Sequence, residues 1–425
     1  MWSCLMDMKY RSLARLFHAD RSNDAFTNHK ELATRRLEAD STFRTGIMTP
    51  LGELFVATPR ETMMLTEQVL IAERRVSRLW RQIPGVMRWD YIRHAISEEL
   101  FATNEMEGVC STRKEAQRAV SMAERARNEG DASKARFGEF ARLYLNLADK
   151  DAVVPMGISD IRDIYDKVVL DEIDEGDRPD GDLFRRHDVE IQGPHGVAIH
   201  GGISGEGAIG ALLADMINLV SSDRLPRLQA AIVSHFLFEY VHPFYDGNGR
   251  TGRYLLALYL SRDLTMPTVL SLSRTIAEHK NLYYKAFSEA EDKLNCGELT
   301  FFVNAVLGFI RQAQDELIDE LGVKIDRLDK GKVICERLTE RHGLASGATS
   351  LLYAVVQEEL FDSYKSVSLE DAAALLGLSK QSARKYVGEL LDVGLVERSG
   401  GRPLKVRASE SLRAILTSGD ASEDE

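Results

Sequence analysis

The chain has 425 residues, 44% of them hydrophobic, and a formal net charge of −12 at pH 7. This length allows two or three domains with their own cores, and the acidic balance argues against binding of nucleic acid along the whole chain. The four cysteines, at positions 4, 110, 296 and 335, form no CxxC pair. They predict a reducing compartment and argue against a disulfide scaffold or a zinc site. The N-terminus lacks the apolar core of a secretion signal and no run of about 18 apolar residues occurs, so we expect a cytoplasmic protein without a membrane partner.

The first 170 residues are predicted to be mainly helical. Residues 1–95 are expected to form an N-terminal helical region, with apolar residues at helical spacing from Glu61 to Trp80. The charged stretch from Arg113 to Arg136 is either a solvated helical hairpin or a mobile excursion. Ser159 to Leu170 has the capping residue and the apolar stripe of an amphipathic helix.

Residues 183–205 differ from the helical segments around them. Short alternating stretches surround the turn Gly-Pro-His-Gly, which predicts a β-hairpin. This hairpin is either a surface feature without a role or a flap that docks a substrate, because it lies just upstream of the next motif.

The most informative stretch runs from His242 to Arg253 and reads His-Pro-Phe-Tyr-Asp-Gly-Asn-Gly-Arg-Thr-Gly-Arg. Apolar runs on both sides, Ala230 to Val241 and Tyr254 to Leu260, predict two buried helices. The motif is therefore expected on a tight connection between two core helices.

The first half of this motif combines a base, a metal ligand and an anion-binding turn. His242 has a side chain suited to taking a proton from a hydroxyl near neutral pH. Asp246 is a hard oxygen ligand of the kind that Mg²⁺ takes beside nucleotide phosphates. Gly247 and Gly249 let the backbone approach an anion closely at the start of a helix, and Asn248 adds an amide donor.

The second half supplies positive charge. Arg250 and Arg253 are three residues apart, so both can reach the outer phosphates of one ligand. Phe244 is apolar beside these groups and is expected to anchor the loop in the core, next to the bound nucleotide. Together these residues predict a site that holds a nucleoside triphosphate and passes part of it to a hydroxyl.

The C-terminal third is predicted to form a separate domain. Asn281 to Ile310 is expected to be helical, and residues 311–348 form a charged helical linker. Residues 349–416 then read as a winged helix-turn-helix: a helix over 366–376, a second helix from Lys380 to Val393, and a basic strand-turn-strand up to Arg407. Residues 417–425 are an acidic tail that is expected to be disordered.

Basic residues of this domain predict contact with DNA phosphates. Lys380, Arg384 and Lys385 lie on the second helix, and Arg402 lies in the wing. Acidic neighbours dilute this surface, and winged helices also serve as homodimer or protein-binding modules, so these alternatives stay open.

The motif His-Pro-Phe-x-Asp-Gly-Asn-Gly-Arg-x-x-Arg matches in full the signature of Fic-domain proteins, which the chain resembles over roughly residues 95–310. Most characterised members are protein adenylyltransferases. The resemblance implies a mainly α fold, with a Fic-type helical bundle over residues 96–310 and a short β-hairpin flap. The flap would include Val197, Ala198, Ile199 and His200.

The family also implies a role for each motif residue. The histidine at the position of His242 deprotonates a Ser, Thr or Tyr hydroxyl on a target protein, which attacks the α-phosphate of ATP. Asp246 would hold Mg²⁺, and the turn from Gly247 to Gly249 would bind the α- and β-phosphates. Arg250 and Arg253 would bind the outer phosphates.

Two further segments gain meaning from the resemblance. Tyr283 and Tyr284 fall where the family often has a tyrosine pair near the adenine, although a core role is an equal alternative. The segment Thr103-Asn104-Glu105-Met106-Glu107-Gly108 resembles the inhibitory pattern in which a Ser or Thr precedes a Glu and then a Gly or Asn. There Glu107 would pair with Arg253 and compete with the γ-phosphate.

The sequence therefore predicts an autoinhibited protein adenylyltransferase that transfers AMP from ATP to hydroxyls of a target protein or of itself. Removal of AMP, and donors other than ATP, are alternatives that the motif leaves open. A different class of function is a DNA-binding regulator whose Fic domain senses nucleotide, but the retained base His242 favours catalysis.

Overall fold

The computed structural model describes residues 10–129, 135–169, 172–189, 191–192, 198–361, 366–399 and 404–418. The predicted mainly helical fold class is confirmed. The chain divides into two compact units: Met1–Arg75 with Ile92–Asp315, and Val76–Tyr91 with Glu316–Glu425. Within the described part of the chain, no helix combines the length and the apolar composition needed to cross a membrane.

Helices form most of the described chain: α1 (Leu13–Ala19), α2 (Ala25–Leu37), α3 (Arg60–Gln82), α4 (Gly85–Met106), α5 (Arg113–Glu129), α6 (Gly138–Ala148), α7 (Ile158–Val168), α8 (Glu206–Val220), α9 (Arg227–Val241), α10 (Asn248–Leu260), α11 (Met266–Glu278), α12 (Lys280–Glu291), α13 (Thr300–His342), α14 (Ser346–Phe361), α15 (Leu369–Leu376), α16 (Lys380–Asp392) and α17 (Glu410–Ser418). The strands are short: β1 (Thr42–Thr49), β2 (Gly52–Ala57), β3 (Ile191–Gln192), β4 (Ala198–His200), β5 (Val367–Ser368), β6 (Val396–Arg398) and β7 (Lys405–Ala408).

Helices α9 and α10 form the centre of the first unit. All thirteen residues of α10 are buried, and so is almost all of α9. Since neither helix has a face exposed to solvent, both must be surrounded by other elements, as the apolar runs predicted. The six-residue connection between them, His242 to Gly247, is therefore held from both ends by buried helices.

A hairpin of β1 and β2 lies in the N-terminal region, where the sequence analysis expected mostly helix. The two strands are antiparallel, with Thr42 opposite Ala57, and they are joined at Pro50 and Leu51. Phe55 of β2 then bonds to the turn before α13, donating to the Gly297 carbonyl at 3.1 Å. The strands depend on this distant partner, which explains why local helical periodicity missed them.

The helix predicted from Asn281 to Ile310 is interrupted. Helix α12 ends at Glu291, and Cys296 and Gly297 both adopt left-handed backbone angles, with φ of 52° and 82°. Helix α13 then begins at Thr300 and continues to His342, so the predicted linker is part of one long helix. The interruption reflects the turn that binds β2, which the apolar periodicity of the segment did not reveal.

The hairpin predicted over residues 183–205 is present but shorter. Strands β3 and β4 are antiparallel, with Ile191 opposite His200. Residues 181–189 are bends and coil. Val197 lies outside the described residues, and only the backbone is described for the residues of β4.

The second unit has its own apolar core, built from α13, α14, α15, α16 and a three-stranded antiparallel sheet in the order β5-β7-β6. Ser368 caps α15 and forms a capping box with Asp371. Gly377 follows the last residue of α15 in the left-handed conformation, and α16 begins three residues later at Lys380, capped by Ser379. These elements follow one another in the order predicted for residues 366–407.

Candidate functional site

His242 ends α9 in a strained backbone conformation. Its φ is 50°, in the left-handed region, and its amide donates to the Phe238 carbonyl at 3.0 Å. This conformation costs a non-glycine residue about 1 kcal/mol or more, so other contacts must hold it. Strain of this kind concentrates where a side chain is aimed for a task.

The buried guanidinium of Arg185 supplies those contacts. The side chain is fully enclosed, and it donates hydrogen bonds to four backbone carbonyls: His242 at 2.7 Å, His187 at 2.7 Å, Ile203 at 2.8 Å and Val241 at 3.3 Å. Burial lowers the pKa of Arg185, and an arginine side chain keeps its charge in proteins. One cation therefore ties the end of α9 to both flanks of the hairpin.

Asn248 and Phe244 stiffen the connection from inside. The Asn248 amide donates to the Phe244 carbonyl at 2.8 Å and accepts from the Phe244 amide at 3.0 Å. The Phe244 ring is fully buried and stacks on Tyr165 with centroids 3.5 Å apart. The structure thus gives Phe244 an anchoring position, and it uses the side chain of Asn248 within the loop instead of leaving it open to a ligand.

Arg253 is held by the end of α4. Its Nη2 donates to Oε1 of Glu107 at 2.7 Å and to the Thr103 carbonyl at 3.1 Å, while its Nε donates to the Thr103 hydroxyl at 2.7 Å. The Arg253 side chain is 2% exposed and that of Glu107 is 23% exposed. In this structure Nε and Nη2 of the guanidinium are engaged by the segment that resembles an inhibitory motif.

The carboxylate of Glu107 also lies over the glycine turn. A Cβ atom on Gly249 would overlap with both oxygens of this carboxylate. Burial alone would raise the pKa of Glu107, but Arg253 outweighs that effect and holds the pKa below its ordinary value. An anion therefore already occupies the start of α10, where the helix dipole and free amides favour negative charge.

Three polar residues at four-residue spacing approach this region: Glu99 and Thr103 on α4, and Glu107 in the turn that follows the helix. Oε1 of Glu99 accepts from Tyr144 at 2.8 Å and from Ser273 at 2.5 Å. Burial raises the pKa of Glu99 to about 7, although these two hydrogen bonds counteract it. Glu99 thus anchors the helix that precedes Glu107.

Arg250, the other arginine of the motif, is engaged as well. Its Nη1 donates to Glu172 at 2.7 Å, and its Nη2 lies 3.6 Å from Asp246. The side chains of Arg250 and Glu172 are 1% and 4% exposed, whereas that of Asp246 is 50% exposed. Burial raises the pKa of Glu172 to about 7, and the charge of Arg250 limits the rise.

The exposed carboxylate of Asp246 can take a metal ion, but only with help. Among the described residues, no group of three or more His, Cys, Asp or Glu side chains could hold a metal. A cation at Asp246 would thus take its other ligands from phosphates and water, which is how Mg²⁺ binds beside nucleotides. The donor set fits Mg²⁺ delivered with a nucleotide.

The two tyrosines differ in their surroundings. Tyr283 is 2% exposed, and its hydroxyl bonds to Nε2 of His235 at 2.7 Å. Burial lowers the pKa of His235 to about 3, so this pair is a neutral part of the core. Tyr284 is partly exposed and lies beside Lys280, whose ammonium is 5.5 Å from the ring of Tyr284. Of the two tyrosines, Tyr284 is the one that could contact the adenine ring of a nucleotide.

Three contributors escaped the sequence analysis: Arg185, Glu172 and Glu99. Each acts through a partner that is distant in the chain, such as Glu172 with Arg250, 78 residues away. An isolated charge in a predicted helix or loop reads as a solvated residue, so no local signal marked them. The remaining predicted site residues, Lys380, Arg384 and Lys385, are exposed on α16 of the second unit, and Arg402 lies outside the described residues.

Parts of the chain are similar in sequence to known proteins. The protein adenylyltransferase fic-1 of Caenorhabditis briggsae is 36% identical over 97 residues, 22% of this chain, and that of Caenorhabditis elegans is 36% identical over 94 residues. The matched segment spans only 17% of the length of either relative. The protein adenylyltransferase Fic of Drosophila yakuba is 26% identical over 186 residues, which is 43% of this chain and 32% of that protein.

Solved structures of similar proteins include a Fic family protein from Desulfovibrio desulfuricans G20, with a TM-score of 0.48, 19% identity, and coverage of 83% of this chain and 97% of that chain. Residues 155–260, which carry His242, Asp246 and both arginines, match the sequence profile of the Fic/DOC family. This part of the chain is therefore similar to the Fic/DOC family.

Proposed function

We propose that this protein is an autoinhibited protein adenylyltransferase that transfers AMP from ATP to a hydroxyl of a target protein or of itself. The observation that carries the proposal is the ion pair of Glu107 with Arg253 at the Gly249 turn, beside His242. A domain with no catalytic use for Arg253 would have no need to cover it with a carboxylate. The adenylyltransferase relatives support the same chemistry.

In this reaction His242 takes the proton of the attacking hydroxyl as its oxygen bonds to the α-phosphorus. The bond from the α-phosphorus to the oxygen that bridges it to the β-phosphate breaks, so pyrophosphate leaves and AMP stays on the protein. The amides at Gly247 and Gly249 receive phosphate oxygens at the positive end of α10. Mg²⁺ held by Asp246 would neutralise phosphate charge. The loop contributes in-line positioning more than covalent chemistry.

Inhibition follows from competition for one guanidinium. A carboxylate and a γ-phosphate both bind arginine through charge-assisted hydrogen bonds, so they compete for Nη2 of Arg253, which Glu107 occupies. Because Glu107 also overlies the Gly249 turn, it displaces the phosphate chain as well as its terminal group. ATP that binds beside it would hold its α-phosphate out of line with the hydroxyl.

The hairpin of β3 and β4 is our candidate surface for the target protein. An extended segment can add to a short sheet and be held mainly through its backbone. Arg185 bonds to the carbonyls of His187 and Ile203, which flank this hairpin, and to that of His242. The same arginine would thus keep a docked hydroxyl in register with the base.

Glu107→Gly tests the inhibitory part of the proposal. We expect it to raise AMP transfer by about 10- to 100-fold, since it removes a charge-assisted contact worth ~1.5–3 kcal/mol. Transfer is measured with ATP labelled at the α-phosphate, and mass spectrometry after incubation with host lysate identifies the modified hydroxyl. The matched control is Glu105→Gly, which places the same residue near the same helix end, where the glutamate is exposed.

Two results would contradict this assignment. If Glu105→Gly activates as strongly as Glu107→Gly, loosening of α4 and not the carboxylate explains the gain. If Glu107→Gly with His242→Ala retains full transfer, His242 is not the base. Release of AMP from modified protein, or a preference for UTP or GTP, would redirect the proposal to deAMPylation or to another donor.

A second candidate function is DNA binding by the second unit. Helices α15 and α16, the intervening Gly377 turn and the β5-β7-β6 sheet support a winged helix-turn-helix. Lys380, Arg384 and Lys385 are exposed on α16, the helix that would enter a major groove. This observation favours a regulator, or an enzyme that carries a DNA-binding module.

A further inference from the structure

Arg250 forms a contact with Glu172 that the proposed reaction does not use. A single guanidinium lies between two carboxylates, 2.7 Å from Glu172 and 3.6 Å from Asp246. The closer partner is buried, whereas Asp246 is half exposed. Arg250 is therefore paired with both carboxylates, and its closer contact is with the buried Glu172.

Glu172 is not placed as a second competitor for the phosphates. The atoms nearest to a Cβ on Gly249 belong to Glu107, and those nearest to a Cβ on Gly247 belong to Val169, Tyr165 and Arg250. Glu172 touches the arginine without being among the atoms closest to either glycine. Its hydrogen bond into the site goes to Arg250, and its charge also interacts with that of Asp246.

The charges of the three groups show what this contact achieves. With Glu172 ionised, Arg250, Glu172 and Asp246 together carry a net charge of −1, and the most exposed side chain of the three is that of Asp246. Without Glu172, the positive charge of Arg250 would cancel that of Asp246, which lies four residues before it and is the nearest remaining acceptor. The carboxylate would then be neutralised and partly covered.

We propose that Glu172 is a positioning residue that restrains Arg250 and so keeps the carboxylate of Asp246 open to a divalent cation. The inference rests on the proposed nucleotide-binding function and adds to it the residue that sets the metal requirement. Partners that orient a metal ligand typically change metal affinity by 10- to 100-fold when they are lost. Glu172 would exert this effect by holding the competing cation.

The test measures ATP binding instead of turnover. The parent protein is the full chain with Glu107→Gly and His242→Ala, which removes the inhibitory carboxylate and prevents the reaction. ATP affinity is measured by calorimetry over a range of Mg²⁺ concentrations and in EDTA. In this parent, Glu172→Gln should raise the Mg²⁺ concentration for half-maximal affinity by about 10-fold, while affinity in EDTA changes less than about twofold.

Glu175→Gln is the matched control, since it removes the same charge from an exposed position three residues away. It should leave the Mg²⁺ requirement within about twofold of the parent, because solvent screens exposed charges. Glu172→Asp keeps the charge but draws it back by one methylene. It should raise the requirement in the same direction by a smaller factor, and it replaces Glu172→Gln should that variant fail to fold.

An unchanged Mg²⁺ requirement in Glu172→Gln and Glu172→Asp would overturn the inference while leaving the proposed function intact. Tighter ATP binding in EDTA would also overturn it, since that result would make Glu172 a competitor for the phosphates. If the parent protein binds no ATP, or if Mg²⁺ has no effect on its affinity, the proposed function fails and the inference fails with it.

Discussion

Arg185 stands out at the scale of single residues because its hydrogen bonds go to backbone carbonyls. A buried charge is expensive unless it is solvated by polar groups, and four carbonyl oxygens take the place of water here. The same bonds fix the left-handed backbone of His242, whose φ is 50°. The stabilisation of a strained residue and the aim of its side chain thus depend on one guanidinium.

Arg185→Lys is predicted to lower kcat in the Glu107→Gly protein by about tenfold or more, with KM for ATP within about twofold. An ammonium cannot reach four carbonyls in a fixed geometry, so His242 loses its aim while the phosphate site stays formed. Steady-state kinetics and the pH profile of kcat measure the effect, with the exposed Arg186→Lys as the control. A parallel rise in KM, or a fall in thermal stability without a change in kcat, would point to a purely structural role.

Helix α4 acts as one unit at the scale of elements. Tyr144 and Ser273 hold α4 at Glu99, inside the helix, and Arg253 holds its C-terminal end through Thr103 and through Glu107 in the turn that follows. Displacement of Glu107 by rotation of α4 would break the contacts of Glu99. Relief of inhibition is therefore expected to involve the last turn, near Gly108, more than movement of the entire helix.

Glu99 makes the stability of the first unit depend on pH. Its pKa is about 7 in the folded protein and 4.5 in an unfolded chain, so below about pH 4.5 both states hold the proton. As the pH rises from 4.5 to 7, only the unfolded chain releases this proton, and the free energy of unfolding falls by up to about 3 kcal/mol. Glu99→Gln removes this titration while its amide oxygen still accepts from Tyr144.

The prediction is checked by thermal unfolding between pH 5 and 8. The melting temperature of the first unit should decline less over this range in Glu99→Gln than in the unmodified chain. Glu105→Gln, at an exposed position of the same helix, should follow the unmodified chain. If the melting temperature declines equally in all three proteins, a group other than Glu99 causes the pH dependence.

What the sequence could predict depended on how local each signal was. The apolar runs around the motif identified α9 and α10, because a buried helix can be recognised from its own apolar composition. The β1–β2 hairpin was missed although Thr42 to Ala57 alternates, since its bond to Gly297 lies some 240 residues away. Glu172 was missed for the same physical reason: nothing near it in the chain shows that Arg250 is its partner.

At the scale of the whole molecule, the net charge limits where DNA can bind. With a net charge of −12, the chain can bind a polyanion only through a local basic surface, and α16 is the candidate. Each phosphate contact contributes about −0.9 to the slope of log K against log salt concentration. The slope of log K against log salt concentration therefore gives the number of phosphate contacts.

If the second unit binds DNA, the full chain should bind the upstream DNA of its own gene at low salt. Arg384→Gln should then make the salt slope shallower by about 1, because one phosphate contact is lost. Fluorescence anisotropy at several salt concentrations measures this, with Lys330→Gln on α13 as a control that removes the same charge elsewhere. Absence of binding at ~50 mM salt would leave protein binding or homodimerisation as the use of this unit.

Under the proposed function, the overlap of Glu107 with Gly249 determines which substitutions can relieve the inhibition. Any side chain at position 249 would displace the glutamate, but it would also fill the space that phosphate oxygens need. We therefore expect a substitution at position 249 to yield an inactive protein. Loss of the glutamate itself leaves that space open, so constitutive activity should arise from changes at Glu107 or in the turn that holds it, and from few other positions.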